Sequence, residues 1–383
     1  MAAELFLSIA LLLVVAKVFG YVTNRYTGSS ILGEILAGVA LGPVLHLVAP
    51  NDLLKQFADF GIILLLFLIG LSTHFDEIKG DMYSASFLAA GGSILSFIVG
   101  FGAGMVMFGS LNTAIVLGLV LLSSSTAVAV KSFMDIGEFK TRIYKMIVGM
   151  SMADDAISIM ALALFTSFIA HGAVDIWRAV GVFFVVIGFF FAITSFGSKL
   201  AGRIMSISTT VRDEYFVVAL SLVILFAVAF ISENVGIAAV TGAFLAGITM
   251  SRSNLTEPII IPKIKVIGYS FFIPLFFAYS AIIMNLGSIA AALPFVIIIT
   301  ALAVVTKIVG SGLMATYYNY KRRDQLLLGI GMVPRGDFAI LIAQVALGAA
   351  LITVDVYSTL LSIIVLTVLS MVVLMRVARA YVR

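Results

Sequence analysis

The sequence predicts an all-α polytopic membrane protein of about thirteen transmembrane helices, built as two six-helix inverted-topology repeats with two crossing broken helices. Three observations predict it. Hydrophobic residues make up 62% of the 383 and charged residues 11%, where a soluble domain carries about 25% charged residues. Apolar runs of about 20 residues recur from end to end, each able to cross roughly 30 Å of hydrocarbon. In lipid such runs must satisfy their own backbone groups as helices, and a barrel would show shorter, alternating strands instead. Finally, two of the runs are interrupted at mid-depth, in corresponding positions of the two halves.

The segments lie near 4–22, 31–49, 53–72, 84–108, 113–133, 143–169, 176–198, 214–231, 236–250, 267–286, 290–318, 325–348 and 356–378. The first lacks a basic leading region and a clear small-residue cleavage site, so it reads as a retained helix rather than a signal peptide. The fifth carries Ser123, Ser124, Ser125 and Thr126 in a row at mid-depth. The ninth is short and rich in glycine. The twelfth carries Gly329, Gly331, Pro334 and Gly336. Proline removes a backbone donor and disfavours helix in the residue before it, glycine costs helix stability, and hydroxyls replace lost backbone partners.

With segments one to six as repeat one (about 1–170), the seventh (176–198) as a linker and eight to thirteen as repeat two (213–383), each break falls in the fifth helix of its half. The odd linker gives the halves opposite topology. Paired interruptions of this kind point to a transporter with its site near the midplane. No loop is long enough for a soluble domain, and the chain stops at Arg383, just past the last helix. The expectation is therefore one membrane domain over 1–383 without a soluble regulatory domain. There is no cysteine, hence no disulfide and no thiolate metal site.

Orientation follows from the loops. Nearly all loop Lys and Arg, from Arg25 and Lys79 to Arg379 and Arg383, fall on one side, and only Lys55 and Arg178 on the other. The basic side is cytoplasmic, which places the N-terminus outside and the C-terminus inside. The formal charge of +4 thus reports topology and not affinity for nucleic acid.

Few ionisable residues remain at mid-depth: Asp154 and Asp155 on segment six, Lys307 on segment eleven, Arg335 and Asp337 on segment twelve. Glu34 and Asp59 sit nearer the helix ends. A charge at a helix centre costs a few kcal/mol and is a functional candidate by default. Adjacent residues on a helix point about 100° apart, so one acid of MSMADDAISIM can take a partner while the other faces an aqueous cavity. A buried lysine needs a counter-charge, and an Asp–Lys307 pair meets both needs. A carboxylate facing water in a narrow cavity binds either a proton or a cation, and the two acids titrate as a coupled pair. Sodium is a hard cation that takes oxygen ligands. Asp155, the Ser151 hydroxyl one turn earlier, the Thr126 hydroxyl and carbonyls freed by the break are the candidate set. Ser151 and Thr126 have an alternative use in bonding their own backbone. Arg335 is suited to carbonyl ends and Asp337 to amide ends of the second broken helix. Glu34 is either a cytoplasmic entrance residue or an interfacial acid.

GEILAGVALGP, GIILLLFLIGL, SSSTAVAV, MADDAISI, VTGAFLAGI, FFIPLFF and PRGDFAILIAQ, in that order and spacing, resemble the second, bacterial and archaeal branch of the monovalent cation:proton antiporters, the NapA-like group. The likeness runs from the second helix to the twelfth. It implies thirteen helices, a homodimer, and a mobile core domain moving in an elevator-like cycle. It assigns the ion carrier to Asp155, the lysine-paired acid to Asp154, the core lysine to Lys307 and the unwound-helix threonine to Thr126. The family's twelfth-helix PRGE reads PRGD here at Pro334–Asp337, with the charge kept. Related Kef-type potassium systems have Gln-Asp in place of Asp-Asp and an appended nucleotide-binding domain. Neither is present in these 383 residues.

The resulting expectation is electrogenic antiport of Na+ or Li+ against H+ in the cell membrane, without a cofactor and without enzymatic activity. A potassium or mixed potassium/sodium antiporter is the nearest alternative. A sodium-coupled solute symporter would need a polar substrate pocket, and the sequence has no spare polar cluster. An intramembrane aspartyl protease places its acids on separate helices with a GxGD motif, which is absent here.

Overall fold

The computed structural model describes residues 2–27, 29–72, 82–125, 128–129, 133, 142–171, 184, 188, 191–193, 213–235, 237–251 and 253–382. Its helices are α1 (Ala2–Thr27), α2 (Ser30–Val39, continued by a wider π-helical turn, Ala40–Val44), α3 (Asp52–Leu71), α4 (Met82–Phe108), α5 (Leu111–Leu122) and α6 (Arg142–His171). They continue as α7 (Glu214–Asn234), α8 (Ala239–Met250), α9 (Thr256–Ile282, with π-helical turns), α10 (Leu286–Tyr317), α11 (Arg322–Gly331), α12 (Asp337–Gly348) and α13 (Val354–Val382). Among the described residues there is no strand. Segments one to four, six and eight to thirteen of the sequence overlap these helices, with α11 and α12 as the two halves of the twelfth, while α5 covers the first half of the fifth, whose second half lies largely outside the described residues. The linker segment, 176–198, lies outside the described residues apart from isolated positions.

Eight of the helices, among the described residues, are long and apolar enough to cross a membrane. Their outer surfaces carry large bare apolar side chains such as Phe6, Val14, Val106, Phe230 and Val373. Exposed apolar surface of this extent has a hydrocarbon environment as its solvent. Helix starts follow local chemistry: Ser110 accepts from the Thr113 amide, Asp213 from the Tyr215 amide (2.9 Å) and Asn285 from the Gly287 amide (3.0 Å). Each cap satisfies one of the amides that a first helical turn leaves unpaired.

The chain forms two compact units. The first comprises Met1–Asn51, Ile78–Ser158 and Phe277–Arg383. In it α4 packs on α5 and α10, α10 on α11 and α13, and α12 on α5 and α13. A buried cluster including Leu88, Phe133, Met146, Ile147, Met150, Leu328, Met332 and Met371 fills its core. The second comprises Asp52–Glu77 and Ile159–Phe276. There α3 and α7 pack on α8, and Phe57, Phe60, Phe226, Phe271 and Phe272 meet in edge and tilted contacts, with Phe57–Phe271 centroids 5.7 Å apart. Every residue of the candidate site belongs to the first unit.

Candidate functional site

Two helices of the first unit stop in mid-course. α5 ends at Leu122 and Ser123 turns extended, with φ −73° and ψ 151°. α11 ends at Gly331, where the Met332 and Val333 amides close its last turn on the Gly329 and Ile330 carbonyls (3.1 Å each), and α12 starts at Asp337. The breaks cross and bond to each other: the Ser125 amide donates to the Pro334 carbonyl (2.7 Å) and the Ser124 hydroxyl donates to the Met332 carbonyl (2.9 Å). Helix ends in hydrocarbon leave amides and carbonyls that cost several kcal/mol each when unmet, and each break meets part of the other's need. Gly336 is required at this crossing, because a Cβ there would fall 2.7 Å from the Ser125 Cβ.

Asp154, on α6, is fully buried beside the first break. Lys307 Nζ, equally buried on α10, donates to its Oδ1 over 2.8 Å. The Ser93 hydroxyl on α4 also donates to Oδ1 and accepts from Lys307 Nζ over 3.0 Å. Oδ2 accepts from the Ser124 amide over 2.6 Å. One carboxylate thus gathers α4, α10 and the broken end of α5. A buried ion pair keeps its charges only when the remaining donors and acceptors are also met, and this one has both a hydroxyl and a backbone amide.

Asp155, one residue on, is 9% exposed and points about 100° away around the helix. Ser151, one turn before it on the same face, is buried, with its hydroxyl 4.0 Å from the Met332 sulfur. Ser158, one turn after, has a buried hydroxyl that finds no partner among the described residues. Thr126 lies outside the described residues.

The second break has its own charges. Arg335 is fully buried. Its guanidinium donates to the carbonyls of Met332 (3.2 Å) and Val333 (2.6 Å), at the end of α11, and of Ala303 on α10 (3.1 Å). Its amide donates to the Thr367 hydroxyl of α13 (3.1 Å). A planar fork with five donors suits a spread of carbonyls. Asp337 stands in the first turn of α12, where the positive end of a helix favours an anion. Arg335 and Asp337 thus sit at the carbonyl and amide ends of the break respectively. Beside them a small cavity is lined by Ser29, Leu32, Ser125, Arg335, Gly336 and Ile340.

Glu34 is 3% exposed on α2, with Lys17 Nζ of α1 at 3.8 Å. Its burial and pairing tie two helices together. Ser93 and Lys17 were not among the residues that the sequence singled out. Ser93 lies in GGSILS, a stretch that reads like any apolar helix, and Lys17 is a lone cation in the first segment. Among the described residues no group of three or more His, Cys, Asp and Glu side chains gathers as a resident metal would require.

Chemically, the arrangement offers one carboxylate locked to a lysine and a second carboxylate next to it, beside two joined helix breaks. A family model described as "Sodium/hydrogen exchanger, transmembrane" matches residues 9–377. The chain is 32% identical over 368 residues to the Na(+)/H(+)-K(+) antiporter GerN of Bacillus cereus, covering 96% of this chain and 94% of GerN. It is 27% identical over 366 residues to a Na(+)/H(+) antiporter of Enterococcus hirae, covering 95% of each. The solved structure of the sodium proton antiporter MjNhaP1 from Methanocaldococcus jannaschii at pH 8 shares the fold, with a TM-score of 0.77 at 12% identity over 99% of this chain and 97% of that one.

Proposed function

The chain belongs to the sodium/hydrogen exchanger family, and we propose that it is a secondary active antiporter that exchanges Na+, and Li+ in its place, for H+ across the cell membrane. The exchange carries about two protons per sodium ion, so that one net charge moves per cycle, worth roughly 2.3 kcal/mol per 100 mV of membrane potential. Asp155 is the group that trades a proton for the cation. Ser151, Thr126 and carbonyls of the break complete an oxygen ligand set suited to a hard cation. Asp154 and Lys307 form the pair that shares the second proton. Arg335 and Asp337 hold the second break, and Glu34 stands towards the cytoplasmic entrance. The protein works as a homodimer with its N-terminus outside and its C-terminus in the cytoplasm. The 1–170 and 213–383 halves are inverted repeats, and the unit that bears the acids carries the ion in an elevator-type cycle.

The observation that carries this reading is a second carboxylate, Asp155, directly beside the buried Lys307–Asp154 pair, in which Nζ sits 2.8 Å from Oδ1. Two adjacent acids in a buried site make each other's ionisation costly, and a site that takes up and releases protons and cations puts that cost to use. Proton flux driven by a sodium gradient in proteoliposomes, at an imposed voltage, tests the proposal. Net current that follows sodium supports it, and sodium-driven exchange without current overturns the two-proton scheme.

A second reading, antiport of potassium or of both cations, is favoured by the name of GerN, which includes K+. Proton flux driven by potassium alone would select it over sodium.

A further inference from the structure

We propose that Ser93 is a positioning residue of the exchange cycle, which bridges Lys307 and Asp154 and so fixes the pair beside the cation site. The inference rests on the reading of Asp155 as the cation site.

Ser93 reaches the ion pair because α4 and α10 approach unusually closely. A Cβ on Gly310 would fall 2.7 Å from both the Gly91 carbonyl oxygen and the Gly92 Cα, and a Cβ on Gly92 would collide with the Ser311 hydroxyl. Small residues at a crossing let two membrane helices meet backbone to backbone. One turn further along α4, the Ser96 and Thr306 hydroxyls meet at 2.9 Å, which fixes the same register. Ser93 then closes a triangle with Lys307 Nζ and Asp154 Oδ1, accepting from the first and donating to the second.

An ammonium has three donors and no acceptor. Each donor of a buried ammonium seeks an oxygen, and two of those on Lys307 end on Asp154 and Ser93. Ser93, Asp154 and Lys307 are all fully buried. The charged groups around them are Asp155 on the same helix as Asp154, whose charge Lys307 feels, and Arg335 at the second break, whose charge also acts on Lys307. If the Ser93 oxygen is removed, Lys307 and Asp154 lose the hydroxyl that bridges them, and the pair beside the cation site loses its fixed orientation. Ser93 also carries a hydrogen bond from its own proton to Asp154, which holds that carboxylate in the orientation that receives Lys307.

The test is sodium-driven proton flux by the full chain in proteoliposomes, measured against sodium concentration at one fixed pH. Ser93→Ala removes the oxygen, and Ser93→Cys removes it while keeping nearly the same volume. Both are expected to raise the apparent KM for sodium about three- to tenfold, the size of one hydrogen bond's net contribution, with Vmax within about twofold of the unmodified protein. A loss confined to Vmax, or an unchanged KM in folded Ser93→Cys, overturns the role of Ser93. A purely structural hydroxyl would lower the yield and thermal stability of folded protein without moving KM. Asp155→Asn is measured in parallel. Full exchange in that variant removes the cation site itself, whereas lost exchange there with an unmoved KM in the Ser93 variants removes only the present inference.

Discussion

The Ser125 amide donates to the Pro334 carbonyl over 2.7 Å, so the two helix breaks of the first unit are joined backbone to backbone. Neither break could persist alone in an apolar setting, because each leaves amides or carbonyls that lipid cannot satisfy. Crossed, they share the debt, and side chains at the crossing cover part of what is left: Asp154 takes the Ser124 amide, and Arg335 takes the carbonyls of Met332 and Val333. The charges therefore serve the breaks as well as each other, and mutation of either partner reads out on both.

Gly336→Ala tests the crossing directly. The added Cβ would collide with the Ser125 hydroxyl and approach its Cβ to 2.7 Å, too close for either side to remain in place. Overpacking of this size costs about 1–3 kcal/mol. The expected outcome is a lower thermal midpoint in detergent and slower sodium-driven proton flux, since the strain falls on the Ser125–Pro334 bond. A variant as stable and as fast as the unmodified protein would show that the crossing yields easily.

Asp155→Asn keeps the size and loses the ionisable group. Sodium-driven proton flux in proteoliposomes should fall to background while the protein still purifies as a folded species with its thermal midpoint within a few degrees. Transport at the normal rate would remove Asp155 from the mechanism.

Arg335→Leu removes a donor from three carbonyls, those of Met332, Val333 and Ala303; Met332 keeps the Ser124 hydroxyl and Ala303 the Thr306 hydroxyl, so the loss falls chiefly on Val333. A buried acceptor left unmet costs about 1–3 kcal/mol, and a loss of thermal stability of that order is expected. Arg335→Lys should restore only part of it, because a compact ammonium cannot span the same fork of acceptors. Full rescue by lysine would mean that charge, and not geometry, holds the second break.

Much of this was legible in the sequence because the signals are expensive. Pro334 and Gly336 weaken a helix wherever they stand, a run of hydroxyls such as Ser123–Ser125 offers the partners that a break needs, and a charge such as Lys307 amid AVVTKIVGSG must find a partner in hydrocarbon. What was not legible is what costs little or has no side chain. Ser93 looks like any other membrane serine: Ser123, for example, bonds the Val120 carbonyl of its own helix, and nothing in the sequence separates the two uses. The Ser124 amide that meets Asp154 is backbone, which every residue carries. Lys17 is 48% exposed along its side chain, and a long flexible cation that can reach toward an interface leaves only a weak mark. Its pairing with Glu34 follows from how α1 packs on α2, and that register is set by side-chain fit and not by periodicity.

Lys307→Ala removes the cation bonded to Asp154 Oδ1 and leaves a fully buried carboxylate with, among the described residues, Ser93 and the Ser124 amide as its donors. Breaking a buried pair from one side costs about 3–5 kcal/mol, because the remaining charge has lost its compensation. The thermal midpoint should drop by more than in Asp155→Asn, which removes a charge instead of stranding one. If the pair shares the second proton, the same variant should also carry less net charge per sodium ion, read as a smaller transient current on a supported membrane at matched flux. An unchanged midpoint with unchanged current would place Lys307 outside both the fold's energetics and the exchange cycle; a lower midpoint with unchanged current would leave it a structural cation only.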